Sequence, residues 1–136
     1  MCGIIGIENN KEAASLAYMG LYAQQHRGQE GAGIVSCDEN KLHSHMGQGL
    51  VSDVFSDEKI FDKLKGDNAI GHTRYSTTGD NSAQNVGPLL FNLENSYISI
   101  AHNGNLVNLK EKRKNLQKQG AIFQTTTDTE IIIHLL

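Results

Sequence analysis

The chain has 136 residues, enough for one domain with its own core. A hydrophobic fraction of 38%, a charged fraction of 20% and a net charge of −3 exclude a strong field that would draw it to nucleic acid or to an anionic membrane. No stretch approaches the roughly 20 apolar residues that span a bilayer, and no basic-then-apolar leader opens the sequence, so no nucleic acid, no membrane and a cytoplasmic location are expected.

From the N-terminus, Gly3 to Ile7 is short, apolar and rich in β-branched residues, which predicts a buried strand. Lys11 to Gln25 reads as a helix, with Ala13, Leu16, Ala17, Gly20 and Leu21 recurring at helical spacing on an inward face. The segment HRGQEGAG, His26 to Gly33, ends that helix with three glycines. A second strand is predicted over Gly33 to Ser36, and Lys41 to Met46 pairs with it across a turn at 38–40. Asp57 to Lys65 predicts a second helix, with Ile60, Phe61 and Leu64 inward and Gly66 as its stop. Ala69 to Thr73 and Tyr97 to Ala101 read as strands that run into the polar clusters HTRYSTTGD and HNGN. Asn108 with Glu111 signals the cap of a third helix that stops at Gly120, and Thr127 with Glu130 has capping-box spacing ahead of Ile131, Ile132, Ile133, Leu135 and Leu136. That last helix receives no stop signal, so a cut through a longer protein is expected. Fourteen glycines against the single Pro88 fit tight turns and close backbone approaches better than a disordered linker.

Two cysteines, Cys2 and Cys37, make no disulfide framework, and free thiols are expected. Cys37 reads as a packed thiol. Cys2 follows Met1 directly and precedes the small Gly3, a context that permits removal of the methionine. Cysteine as first residue carries a thiol of reference pKa about 8.5 and an α-amine of about 7.7–8.0, a nucleophile and a base in one residue. The bland alternative is a small buried hydrophobe.

Three polar clusters bear on that choice. Arg74 follows the strand that ends at Thr73, and its planar fork can grip a carboxylate. Asn103 and Gly104 follow another strand, where a side-chain amide and a backbone N–H can stabilise an oxyanion. Asp128 sits in the first turn of the terminal helix and can receive an ammonium group. Singly, these have ordinary explanations: a surface ion pair, a turn asparagine and a helix-capping carboxylate. Together they are the groups that hold an amino acid by its head while its side-chain amide is attacked. His43 and His45, two apart on a predicted strand with no third ligand evident, read as exposed residues and not as a metal site.

At this point MCGIIGI, QQHRGQEGAGI, GHTRYSTTGD, HNGNLVNL and TTDTE resemble the glutaminase domain of the amidophosphoribosyltransferase family, along nearly the whole chain. Other class II glutamine amidotransferases share the MCGI start and the HTR and HNG motifs, but differ in the words between. The resemblance implies an α+β fold, the αββα sandwich of the N-terminal nucleophile (Ntn) hydrolases, here incomplete at the C-terminus. It implies that residues 1–136 are a truncated glutaminase domain, without the phosphoribosyltransferase domain that follows it in the family. It also implies hydrolysis of glutamine to glutamate and ammonia through a thioester on Cys2.

By matching motif, Arg74 binds the glutamine α-carboxylate with Thr77 nearby, and Asn103 and Gly104 form the oxyanion hole. Asp128 binds the α-amino group with help from the Gly104 carbonyl, Arg27 supports the surroundings of the nucleophile, and His72 and His102 are scaffold. The absent domain would bind phosphoribosyl pyrophosphate with Mg2+ and use the ammonia to make 5-phosphoribosylamine for purine biosynthesis. The full-length protein is expected to be a homo-oligomer, and the cysteines of the iron–sulfur cluster that some members carry lie beyond this chain. No cofactor or metal is expected in this segment. Two further readings remain open here: a glutaminase domain joined to another synthase, and a non-catalytic fragment that acts, if at all, as a binding module.

Overall fold

The structure, a computed structural model, describes residues 1–39, 41–76 and 82–136. Eleven strands and helices follow one another among them: β1 (Gly3–Ile7), α1 (Ala13–Ala23), β2 (Gly31–Asp38), β3 (Lys41–Gln48), α2 (Val51–Val54), α3 (Lys59–Lys63), β4 (Asn68–Arg74), β5 (Leu89–Leu93), β6 (Ser96–Ile100), α4 (Leu109–Lys118) and α5 (Thr129–Leu135). A four-stranded antiparallel sheet has the order β1-β4-β2-β3, and β5 and β6 form a separate hairpin.

Strand alternation gives the large sheet two different faces. On one face Ile5, Ile7, Ala32, Ile34 and Ala69 pack with Ala13, Ala14, Ala17 and Leu21 of α1 and with Val51, Phe55 and Leu64. Leu21, Ile34 and Val51 are fully buried, each contributing roughly 1.5–3 kcal/mol of apolar transfer. The small residues on this face permit close approach: a Cβ added at Gly71 would stand 2.9 Å from Leu21 Cδ1. The opposite face carries Gly33, His72 and Arg74 and looks toward Val86, Gly87 and the β5–β6 hairpin. The helices α1–α3, the large sheet and the small sheet thus stack as expected for the first layers of an α/β/β arrangement, and α4 packs against α5.

Several elements depart from the sequence expectation. β2 extends two residues beyond each end of the predicted strand, because Gly31 and Ala32 continue the ladder against both β3 and β4. The predicted Asp57–Lys65 helix shortens to Lys59–Lys63, and the short α2 precedes it. β5 is not expected from the sequence: Pro88 masks an apolar run that pairs with β6 across a two-residue turn at Glu94 and Asn95. Neither predicted cap forms. Asn108 precedes α4 in a left-handed conformation (φ 57°) with no side-chain cap bond. Glu130 does not reach back to Thr127; it accepts from the backbone N–H groups of Gln124 and Thr125 at 2.8 and 2.7 Å.

The register decides where chemistry can occur. Gly3 pairs with Thr73 and Gly31 pairs with Arg74. Cys2, one step before Gly3, therefore leaves the sheet beside the C-terminal end of β4, where Arg74 stands. Thr73 Oγ1 accepts the Gly3 N–H at 3.0 Å and pins the residue next to Cys2. Gly28 closes the same corner: a Cβ there would lie 2.6 Å from the Arg74 carbonyl oxygen and 2.7 Å from its carbon. Backbone cannot give way as a flexible side chain can. Gly28→Ala is therefore expected to lower unfolding free energy by about 1–3 kcal/mol. Gly6→Ala, where an added Cβ meets nothing within 4 Å, should change it by no more than about 0.5 kcal/mol. Urea denaturation of the two variants checks the difference.

Candidate active site

One cavity gathers residues that lie far apart in sequence. Its wall includes Cys2, His72, Arg74, Asn85, His102, Gly104 and Asp128. The Cys2 thiol lies 3.6 Å from the Tyr75 carbonyl oxygen, to which it can donate. Arg27 Nε donates to the Cys2 carbonyl at 3.0 Å and holds the Cys2 backbone from the side.

Arg74 is 5% exposed. A guanidinium taken out of water costs several kcal/mol unless acceptors surround it. Its Nη1 donates to the Asn85 carbonyl at 3.0 Å, and its Nε lies 4.0 Å from Glu30 Oε2. Glu30 also accepts from Ser76 N–H at 3.0 Å and from the Ser76 hydroxyl. This holds the chain on either side of Tyr75, whose carbonyl faces the thiol. The result is a fixed positive charge in the wall of the cavity that Cys2 also lines.

Asp128 supplies the opposite charge and is also 5% exposed. Its Oδ2 accepts the Leu106 N–H at 2.9 Å, and its Oδ1 lies 3.5 Å from His102 Nδ1. Here the structure adds to the sequence reading: His102, taken as scaffold, is the direct neighbour of the carboxylate. His72 is buried behind Arg74 and packs on Gly87, where an added Cβ would stand 3.0 Å from its Nδ1. Burial, and then the Arg74 charge, lower its pKa from 6.5 to about 4 against smaller opposing contributions from the backbone of His102 and Gly87. His72 is thus neutral near pH 7 and adds no charge to the cavity.

The remaining sequence-predicted residues fall as follows. Gly104 lines the cavity, whereas the neighbouring Asn103 is exposed and is not part of the lining. Thr77 lies outside the described residues. His43 and His45 are not exposed as expected: both are half-buried, with His43 Nε2 3.0 Å from Asp38 Oδ2 and His45 Nε2 2.8 Å from the Val54 carbonyl. Among the described residues no group of three or more metal-ligating side chains occurs, and no helix is long and apolar enough to cross a membrane. Both cysteines are free and half-buried. Sequence reasoning missed Asn85, Glu30 and Tyr75 as parts of this site. Glu30 stood inside the quoted HRGQEGAG motif, but Asn85 lies in an aperiodic stretch with nothing to mark it.

The cavity joins a thiol, a buried cation and a buried carboxylate, the set that suits an amino acid presented side chain first. Comparison with known proteins agrees. The profile described as "Glutamine amidotransferase domain" matches residues 56–136. An amidophosphoribosyltransferase of Lacticaseibacillus casei is 47% identical over 135 residues, covering 99% of this chain and 70% of that protein. The chain belongs to the amidophosphoribosyltransferase family, as its glutamine amidotransferase domain.

An amidophosphoribosyltransferase of Staphylococcus aureus (strain MRSA252) is 51% identical over 136 residues, covering 99% of this chain but 27% of the relative. The chain thus spans about a quarter of the length of the family members it first matches. A solved glutamine phosphoribosylpyrophosphate amidotransferase from B. subtilis, complexed with ADP and GMP, superposes with a TM-score of 0.90 at 48% identity, over 99% of this chain and 29% of that one. Family and superposition establish the Ntn-hydrolase type of fold expected from the motifs.

The buried neutral His72 has a consequence for stability. Its folded-state pKa lies below the unfolded value, so between pH 6.5 and 4 the unfolded chain binds more protons. Stability from this residue is complete above pH 6.5 and is lost as pH falls toward 4, by up to roughly 3 kcal/mol. Urea unfolding at stepped pH should show this decline, and His72→Asn should flatten it across that window.

Proposed function

We propose that this domain hydrolyses glutamine to glutamate and ammonia, with Cys2 as nucleophile once Met1 has been removed. The observation that carries the reading is the shared cavity: the Cys2 thiol, the buried Arg74 guanidinium and the buried Asp128 carboxylate line one wall system. Arg74 receives the substrate α-carboxylate and Asp128 its α-ammonium, which leaves the side-chain amide directed at sulfur. Thr77 belongs to the same proposal through its motif.

The chemistry balances with groups of this chain, water and glutamine. The Cys2 α-amine takes the thiol proton, and sulfur bonds to the amide carbon, whose C=O electrons move to oxygen. Gly104, a residue of the cavity wall, would offer its N–H to that oxyanion, and Asn103 would join it by turning its amide inward. Collapse breaks the C–N bond, and the proton held by the amine leaves with ammonia. A γ-glutamyl thioester remains; water, deprotonated by the same amine, cleaves it to glutamate and restores the thiol. Arg27 steadies the Cys2 carbonyl throughout.

The names of the relatives support a further step in the complete protein. There the ammonia would pass to phosphoribosyl pyrophosphate, held with Mg2+ by a phosphoribosyltransferase domain, to give 5-phosphoribosylamine for purine biosynthesis. The complete protein would be a cytoplasmic homo-oligomer.

Glutamate release in the complete gene product tests the glutaminase step. Cys2→Ser is expected to reduce it roughly 100-fold or more, since a hydroxyl near its free pKa is a poor nucleophile, while leaving the urea midpoint unchanged. Intact mass should show the active protein lacking Met1. Full activity in a population that retains Met1 would contradict the role of the α-amine.

A further inference from the structure

Asn85 is 2% exposed, yet it lies in a connecting segment and no periodic pattern explains its burial. An ordinary turn asparagine bonds to its own loop. Asn85 instead bonds to two distant parts of the chain. Its backbone carbonyl accepts from Arg74 Nη1 at 3.0 Å, eleven positions back in sequence. Its side chain forms an amide pair with Thr126, forty-one positions ahead: Oδ1 accepts the Thr126 N–H at 3.0 Å, and Nδ2 donates to Thr126 Oγ1 at 2.7 Å. Thr126 stands two residues before Asp128, and the intervening Thr127 is itself 3% exposed. Glu130 binds the preceding turn at Gln124 and Thr125, which leaves the tie to Asn85 to place Thr126 against the large sheet. Asn85 also lines the cavity.

We infer that Asn85 is a positioning residue that sets the separation between Arg74 and Asp128, and so sets affinity for the amino-acid head of glutamine. The inference rests on the glutaminase reading above. Arg74 is fixed on a strand of the large sheet and Asp128 at the start of α5; these two elements are far apart in the chain. A single buried side chain and its own carbonyl span the gap between them. Removing the Asn85 amide leaves the Thr126 N–H without that partner and lets the loop carrying Asp128 drift from Arg74. The sulfur and its contacts with Tyr75 and Arg27 do not pass through Asn85. The effect therefore falls on substrate binding and spares thiol chemistry.

The test uses the complete gene product and three readouts: steady-state glutamate release, the rate of Cys2 alkylation by iodoacetamide, which has no amino-acid head, and labelling of Cys2 by a diazoketone analogue of glutamine. For Asn85→Ala, KM for glutamine should rise about tenfold or more, with kcat held within about threefold. Iodoacetamide reactivity should be unchanged. Thr126→Val removes the hydroxyl partner of the Asn85 amide and serves where Asn85→Ala does not fold; it too should raise KM with kcat preserved.

An unchanged KM in the folded Asn85→Ala or Thr126→Val protein overturns the inference, as does a loss of kcat and iodoacetamide reactivity in parallel with KM. Failure of the glutamine analogue to label the unsubstituted protein overturns the glutaminase reading and this inference together. Normal labelling of that protein with an unmoved KM in the variants overturns this inference alone.

Discussion

A guanidinium inside a protein must be surrounded by acceptors, and Arg74 shows how much of this domain is arranged around that requirement. It ends an interior strand, with Gly31 paired on one side and Cys2 emerging on the other. The Asn85 carbonyl takes one of its N–H groups, and Glu30 stands 4.0 Å from another. Each of these neighbours comes from a different connection, so ordering Arg74 also orders the segments around 30, 76 and 85. Gly28 lies so close to the Arg74 backbone that the turn after α1 is locked to the same point. The cation is thus a structural anchor on its protein side and part of the cavity wall on the other.

That arrangement explains why Cys2, the proposed nucleophile, lies where it does. Cys2 is held through its neighbours and through its own carbonyl: the Gly3 N–H on Thr73, and Arg27 on the carbonyl oxygen. The thiol itself keeps only a long contact with Tyr75. A nucleophile needs this combination, with a fixed backbone and a sulfur free to form a bond. Under the proposed function, removal of Met1 would add an amine within the same residue, and neither His72 nor His102 would then be needed as a base. Burial keeps His72 neutral beside Arg74 and spares the cavity a second positive charge there.

Much of this was readable from residue order, for physical reasons that differ from part to part. The first helix follows from periodicity, because it buries one apolar face, and the β2–β3 pair from apolar runs around a turn; β1 follows from its β-branched run but is not the buried strand expected, because it lies at the sheet edge with Ile4 exposed. The motif residues Cys2, Arg74 and Asp128 stand at the ends of strands or helices and Gly104 in the loop after β6, where polar clusters interrupt apolar runs, and the fold brings them to one cavity. β5 was hidden by Pro88 at its entry. The capping-box spacing at Thr127 misled, because Glu130 satisfies the N–H groups of a tight turn that spacing cannot reveal. Asn85 was invisible for a related reason: its bonds cross the fold, and local patterns carry no record of partners so distant in the chain.

The account depends on a free amino acid lying between a buried cation and a buried anion with its side-chain end at the sulfur. A crystal structure of the protein with a glutamine-derived acyl group trapped on Cys2 addresses this most directly. The account predicts a covalent bond to Sγ, the α-carboxylate within about 3 Å of the Arg74 guanidinium, and the α-ammonium at a similar distance from Asp128. An adduct whose amino-acid head lies away from both residues, or a sulfur that the reagent leaves unmodified, would contradict it.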